Sequence, residues 1–183
     1  MKVGLGSSEF FTVTLVIFND NEVALDADKD IDEIRTSLKL KPYEEFKFNK
    51  LNDTGRRSFL STISKHNFIY YGVVINKAKL TGKGFAFKES FYKYACQLAL
   101  SNCKEYLIDA TIVIDGSGSS DFRRQLQKYI KEKLNDKNSN IKCVKKVKIE
   151  DSQKITCFNL LTWYVVQLLD HLLTKRTTHP IEA

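Results

Sequence analysis

The sequence predicts a single α/β domain, because segments with strand character and segments with helix periodicity alternate along most of the chain. Runs of β-branched and aromatic residues at 10–18, 68–75 and 110–115 read as strands, and apolar residues recur at helical spacing between them. Strands that alternate with helices favour a sheet with at least some parallel pairs. A chain of 183 residues can bury a core of useful size without disulfides or a structural metal.

The first half of the chain predicts two strands and two helices. Asn19-Asp20-Asn21 closes the first strand, and the next apolar residues repeat at helical spacing until the chain reaches Pro42. Asn52 or Asp53 is suited to cap the second helix. The predicted elements are a strand over 10–18, a helix over 22–40, a short extended segment over 44–48 and a helix that runs to residue 66.

The second half repeats this alternation. Gly116-Ser117-Gly118 predicts a turn after an apolar strand, and Ser119 or Ser120 is placed to cap the helix that follows. Lysines among apolar residues at 141–149 predict a half-buried strand whose basic edge resists pairing with other chains. The predicted elements are a strand over 68–75, a helix over 85–105, a strand over 110–115, a helix that ends at 134 and a strand over 141–149.

The segment 155–173 is apolar almost all the way round and approaches the length of a membrane span. Its polar residues, Asn159, Gln167, Asp170 and His171, argue against a span. A buried core helix is the simpler interpretation, and no membrane association is expected.

Charge and cysteine content narrow the class of protein further. The net charge is +7, yet residues 1–40 hold 4 Lys+Arg against 8 Asp+Glu, and the remainder holds 25 against 14. This asymmetry permits a polyanionic partner for the later part of the chain, and a solvated basic surface without a ligand is the alternative. The four cysteines form no C-x-x-C pair and no secretion signal opens the chain, so reduced thiols in a cytoplasmic protein are expected.

Three acidic residues lie where strands are predicted to end or run. Asp115 ends the most apolar strand, Asp151 follows the lysine-rich strand, and Glu45 lies in the short extended segment. Acids that converge at the carboxyl ends of strands repel one another unless a cation joins them, and Mg²⁺ or Mn²⁺ in such a cluster can drive phosphodiester cleavage. Alternatively, Asp115 is a turn or cap residue, and Glu45 is a surface acid beside Lys47 or Lys50.

Five segments resemble one known family in their order and spacing. They are 42–50 (P-Y-E-E-F-K-F-N-K), 70–77 (Y-Y-G-V-V-I-N-K), 91–94 (F-Y-K-Y), 114–118 (I-D-G-S-G) and 151–154 (D-S-Q-K). Together they resemble domain-of-unknown-function family 3800 over roughly residues 7–154. The resemblance implies a ribonuclease-H-like mixed sheet flanked by helices, with Glu45, Asp115 and Asp151 as metal-binding catalytic acids and Lys47 facing a phosphate.

Two motifs of that family are absent from this sequence. The opening D-E-S-G is missing, and the expected Q-L-A-D-M helix after Lys154 is replaced by the apolar segment. Residues 159–171 can be encoded so that a shift of one nucleotide reads Q-L-A-D-M-V-C-G-A-I-A-R-S. We therefore predict a ribonuclease-H-like domain over 1–154, incomplete at both ends, and an out-of-frame tail over 155–183.

These observations predict a degenerate member of a metal-dependent nuclease family, weakly active or inactive. Its expected cofactor is Mg²⁺ or Mn²⁺, and its expected contacts to nucleic acid are Lys47, Lys50, Arg123 and Lys145. A non-catalytic module that binds nucleic acid or protein is the alternative, and the product of a pseudogene is a third.

Overall fold

A computed structural model of the chain describes residues 9–41, 50–116 and 118–150. These residues form a mixed α/β structure, which confirms the predicted class, with strands in an antiparallel pair and a parallel pair. In chain order the elements are β1 (Phe10–Ile17), α1 (Asn21–Ser37), α2 (Asp53–Ile63), β2 (Ile69–Asn76), α3 (Lys88–Asn102), β3 (Ala110–Asp115), α4 (Ser120–Leu134) and β4 (Val144–Glu150). Short 3-10 turns occupy Lys77–Lys79, Lys83–Ala86 and Lys104–Tyr106.

The predicted elements that fall in the described ranges agree with the structure to within about three residues at each bound. The helix expected from residue 85 begins at Lys88, because Phe87 is extended and a 3-10 turn precedes it. The strand expected from residue 141 begins at Val144. The segments predicted over 44–48 and 155–173, and the boundary predicted at 154, lie outside the described residues.

The described residues fall into two compact units. One contains β1, β2 from Tyr70 onward, α3, β3, α4 and β4, and the other contains α1 and α2. The first unit holds the larger core and the candidate site.

The core of the first unit forms where α3 and α4 pack on the strands. The buried side chains of α4, Phe122, Leu126, Ile130 and Leu134, recur every four residues and make one apolar stripe. They pack with Ile112 of β3 and Val147 of β4, and β1 and β2 add partly buried apolar side chains to the same cluster. Both strand pairs therefore share one hydrophobic core.

A bulge sets which residues of β4 face this core. Ala110 of β3 is opposite Val144, whereas Thr111 is opposite Lys146, so Lys145 is an extra residue in the ladder. Strict alternation from Val147 would turn Lys145 toward the core. The bulge brings in Val144 instead and leaves both adjacent lysines exposed.

Two side-chain amides of α4 and its C-cap bind the backbone of β4. The Asn135 amide nitrogen donates to the Val144 carbonyl oxygen at 2.9 Å, and its oxygen accepts from the Val144 N–H at 2.8 Å. About two turns earlier, the Gln127 amide donates to the Val147 carbonyl at 3.0 Å. These contacts show that α4 runs antiparallel to β4, and they satisfy backbone groups that β3 does not reach.

The antiparallel pair packs on α3 through aromatic side chains. The rings of Phe11 in β1 and Phe91 in α3 meet edge to face, with centroids 4.9 Å apart. Phe91 and Ala95 are fully buried, and Ile75 of β2 joins them. At the end of this pair the Lys77 N–H donates to the Glu9 carbonyl at 3.0 Å.

The second unit is a pair of helices. Ile31 on α1 and Phe59 on α2 are fully buried. The Asn52 side chain accepts from the Gly55 N–H at 2.8 Å, as predicted for the cap of α2. After α2, the His66 ring nitrogen lies 2.9 Å from the Asp30 carboxylate of α1, so a polar contact joins the two helices.

The cysteines within the described residues are free thiols, as predicted. Cys96 and Cys103 are buried on or beside α3, and Cys143 is half-buried before β4. Burial raises the pKa of the Cys96 thiol to about 12 and raises that of Cys103 as well. None of the helices in the described ranges has the length and apolarity needed to cross a bilayer.

The double contact of Asn135 gives a direct test of how α4 holds β4. In Asn135→Ala we expect the free energy of unfolding to fall by about 1–3 kcal/mol, because the backbone N–H and C=O of the buried residue Val144 lose their side-chain partner. Urea denaturation followed by circular dichroism measures the change. The exposed Asn138→Ala variant is the matched control and should stay within about 0.5 kcal/mol of wild type. Equal stability of both variants would contradict the role of Asn135.

Candidate functional site

The candidate site lies at the carboxyl ends of the parallel strands. Asp115, the last residue of β3, is opposite Glu150, the last residue of β4. The ladder continues one residue further, where the Gly116 N–H donates to the Glu150 carbonyl at 2.7 Å. Opposed residues of adjacent strands are about 5 Å apart and project to the same face, so the geometry sets these carboxylates side by side.

This pair faces away from the core. Ile114 and Ile149, the preceding residues of the two strands, pack against the core cluster, so alternation turns Asp115 and Glu150 to the other face. Asp115 is exposed and Glu150 is half-buried. Two acids on one solvated face can both accept a cation.

The alternative interpretation of Asp115 as a helix cap does not fit the structure. Ser119 is the N-cap of α4, and its hydroxyl accepts from the Phe122 N–H at 3.2 Å. Within the described ranges the Asp115 carboxylate makes no hydrogen bond or ion pair. Capping of α4 therefore does not explain why Asp115 stands at the end of β3.

The glycines of the turn are required by close contacts. A Cβ on Gly116 would lie 2.9 Å from the Glu150 carbonyl oxygen, so a side chain there would push the two strand ends apart. Gly118 has a φ of +92°, and a Cβ there would lie 2.6 Å from the Phe122 ring. The D-G-S-G sequence thus allows β3, β4 and the start of α4 to meet closely.

Arg123 closes this turn from the helix side. Its Nε donates to the Gly118 carbonyl at 3.2 Å, and a terminal nitrogen donates to the Gly116 carbonyl at 3.3 Å. The residue was predicted to contact nucleic acid. In the structure its guanidinium binds the turn and supports the strand end that carries Asp115.

Two of the lysines predicted to contact nucleic acid lie on the surface, at other positions of the chain than this pair of acids. Lys145 is exposed at the bulge of β4, and Lys50 is exposed just before α2, in the helical unit. Glu45, Lys47 and Asp151 lie outside the described residues, so their predicted roles stay predictions. Glu150 was missed as a site residue, because only the register of β3 on β4 sets it beside Asp115.

The donor set within the described residues is small. No group of three or more His, Cys, Asp or Glu side chains suited to a metal occurs in 9–41, 50–116 or 118–150. The pair of Asp115 and Glu150 still fits one mode of Mg²⁺ binding, in which one or two carboxylates act together with water and a substrate phosphate. Asp151, which was predicted as a metal ligand, directly follows Glu150 in the sequence.

Comparison with known proteins adds no relative, since neither a family model nor a curated protein nor a solved structure matches this chain.

The close approach at Gly116 predicts a measurable cost for adding one methyl group. In Gly116→Ala we expect a loss of about 1–3 kcal/mol in the free energy of unfolding, since the new Cβ must displace the end of β4. Gly84→Ala is the matched control, because a Cβ at Gly84 meets no atom within 4 Å. Thermal and urea unfolding measure both. A Gly116→Ala protein as stable as Gly84→Ala would show that the strand ends do not meet as described.

Proposed function

We propose that this chain is a degenerate metal-dependent phosphodiester hydrolase of the ribonuclease-H-like type. It is weakly active or inactive and binds nucleic acid. The observation that carries the proposal is the in-register pair of Asp115 and Glu150 at the ends of two parallel strands. Ligands of open α/β sheets bind outside the carboxyl ends of strands, which is where this pair lies.

The arrangement of the strands is consistent with the proposed type. An antiparallel pair and a parallel pair contribute to one core, and the resembled ribonuclease-H-like sheet is also mixed. This correspondence supports the resemblance to family 3800.

Each residue of the site has a distinct task under this proposal. Asp115, Glu150 and the predicted ligands Glu45 and Asp151 would hold Mg²⁺ or Mn²⁺. When bound, the ion would neutralise a phosphate and lower the pKa of a bound water. Arg123 and Gly116 fix the strand ends and so the separation of the two described carboxylates.

Low activity follows from the incomplete set of motifs. The resemblance implies acids in D-E-S-G and Q-L-A-D-M, and both motifs are missing here. A displacement of the reacting groups by 1 Å can cost about a hundredfold in rate. Binding of a polyanion does not require that precision, so it is expected to persist.

Cleavage of labelled single-stranded, duplex and hybrid substrates in Mn²⁺ or Mg²⁺ tests the proposal. We expect slow, metal-dependent cleavage that Asp115→Asn lowers at least about tenfold, because the variant removes one charged ligand of the ion. Asp109→Asn is the control, since Asp109 is an exposed acid at the other end of β3. Mn²⁺ binding, measured by calorimetry, should weaken in Asp115→Asn and in Glu150→Gln but not in Asp109→Asn.

Two outcomes would contradict the hydrolase. One is cleavage that Asp115→Asn leaves unchanged, and the other is Mn²⁺ binding that is equal in all three variants. Salt-sensitive nucleic-acid binding without metal binding or cleavage would instead favour the second candidate, a non-catalytic binding module. The exposed lysines of β4 favour that candidate specifically.

A further inference from the structure

A groove of about 490 Å³ lies between α4 and β4 in the first unit. Its cationic side chains are Arg124, Lys128 and Lys131 from the helix and Lys146 from the strand, and Glu132 is the one carboxylate among the residues that line it. All five of these side chains are exposed. Four cations against Glu132 and Asp121, which pairs with Arg124, leave the groove with a net positive charge.

The cations of the groove form only weak ion pairs with carboxylates of the protein. Arg124 pairs with Asp121 at 2.9 Å, and Lys128 lies 3.8 Å from Glu132, but both pairs are largely exposed to solvent. Such surface pairs contribute little and exchange easily for another anion. Lys131 and Lys146 make no ion pair within the described part of the chain.

The contact between α4 and β4 lines the groove, and the directions of these two elements set its orientation. Gln127 binds the Val147 carbonyl at the base, and so holds helix and strand together beneath the charged rims. Arg124, Lys128 and Lys131 are spaced four and three residues apart, which is about 6 and 4.5 Å along the helix. Because α4 runs antiparallel to β4, the Arg124 end of the groove lies toward the carboxyl ends of the strands.

We propose that this groove binds the sugar–phosphate backbone of a nucleic acid and directs it toward Asp115 and Glu150. Cations about 6 and 4.5 Å apart along the helix suit a chain of closely spaced phosphates. No ring is among the side chains that line the groove, so the contact reads the backbone and is independent of base sequence. The inference rests on the proposed function for its choice of nucleic acid as the polyanion.

An anionic membrane fits this surface less well. Interfacial binding normally combines basic residues with apolar side chains that enter the lipid. None of the large exposed apolar side chains of the described residues belongs to α4 or β4.

Fluorescence anisotropy of a labelled 20-nucleotide oligothymidylate, measured in EDTA over a range of salt concentrations, tests the groove without any metal-dependent step. The groove variant combines Lys128→Gln, Lys131→Gln and Lys146→Gln. The control combines Lys83→Gln, Lys88→Gln and Lys104→Gln, which remove the same charge from exposed positions elsewhere in the unit.

We expect the groove variant to lose at least about tenfold in affinity and to lower the salt slope by about 2, because three phosphate contacts are removed from a single strand. The control variant should lose about threefold or less. Replacing the same three groove lysines by arginine should retain wild-type affinity. That result would show that the loss of affinity in the Gln variant follows from the loss of charge. Circular dichroism and thermal unfolding establish that all variants are folded.

Equal losses in the two Gln variants would overturn the proposal, since net charge alone would then explain binding. Absence of wild-type binding to oligothymidylate and to duplex DNA would also overturn it. A third outcome would also overturn it: the wild-type protein binds phosphatidylserine vesicles but not DNA, and the groove variant no longer binds the vesicles. If the wild-type protein binds the oligonucleotide in EDTA but shows neither Mn²⁺ binding nor metal-dependent cleavage, the hydrolase is refuted and the groove stands.

Discussion

The packing of α4 across β3 and β4 is the interaction on which the first unit depends. Four apolar side chains, one per turn of the helix, cover the core face of the parallel pair. At the helix end, the Asn135 side chain binds both backbone groups of Val144 in the way that a neighbouring strand would. A two-stranded parallel pair is a weak structure alone, so packing against this helix helps to keep the strands in register.

The same packing determines where the functional groups lie. The register that α4 holds sets Asp115 beside Glu150, and Gly116 permits the strand ends to approach. The bulge at Lys145 keeps both adjacent lysines on the surface and brings Lys146 to the rim of the groove. The carboxylate pair and the basic groove are thus two consequences of one helix–strand interface. A nucleic-acid backbone in the groove would run along that interface toward the acids.

Local sequence signals predicted the parts of the structure that depend on neighbouring residues. The bounds of β3 follow from a continuous apolar run before glycine, and those of α4 follow from Ser119 as cap and the polar residues after Leu134. The bulge was not predicted, because Lys145-Lys146 gives no alternation from which to choose a face. Glu150 was missed because strand register depends on partners distant in sequence. Glu45 and Asp151, which the family resemblance implies as ligands, remain predictions.

Amide hydrogen exchange of the full chain, followed by mass spectrometry in EDTA with and without oligothymidylate, tests the central claim that the α4–β4 interface both holds the unit and binds the nucleic acid. We expect peptides from β3, α4 and β4 to exchange as one slowly opening unit. The oligonucleotide should slow exchange further in α4 and β4 and leave α1 and α2 unchanged. Rapid exchange of β4 beside a protected α4, or protection by DNA confined to α1 and α2, would contradict the account.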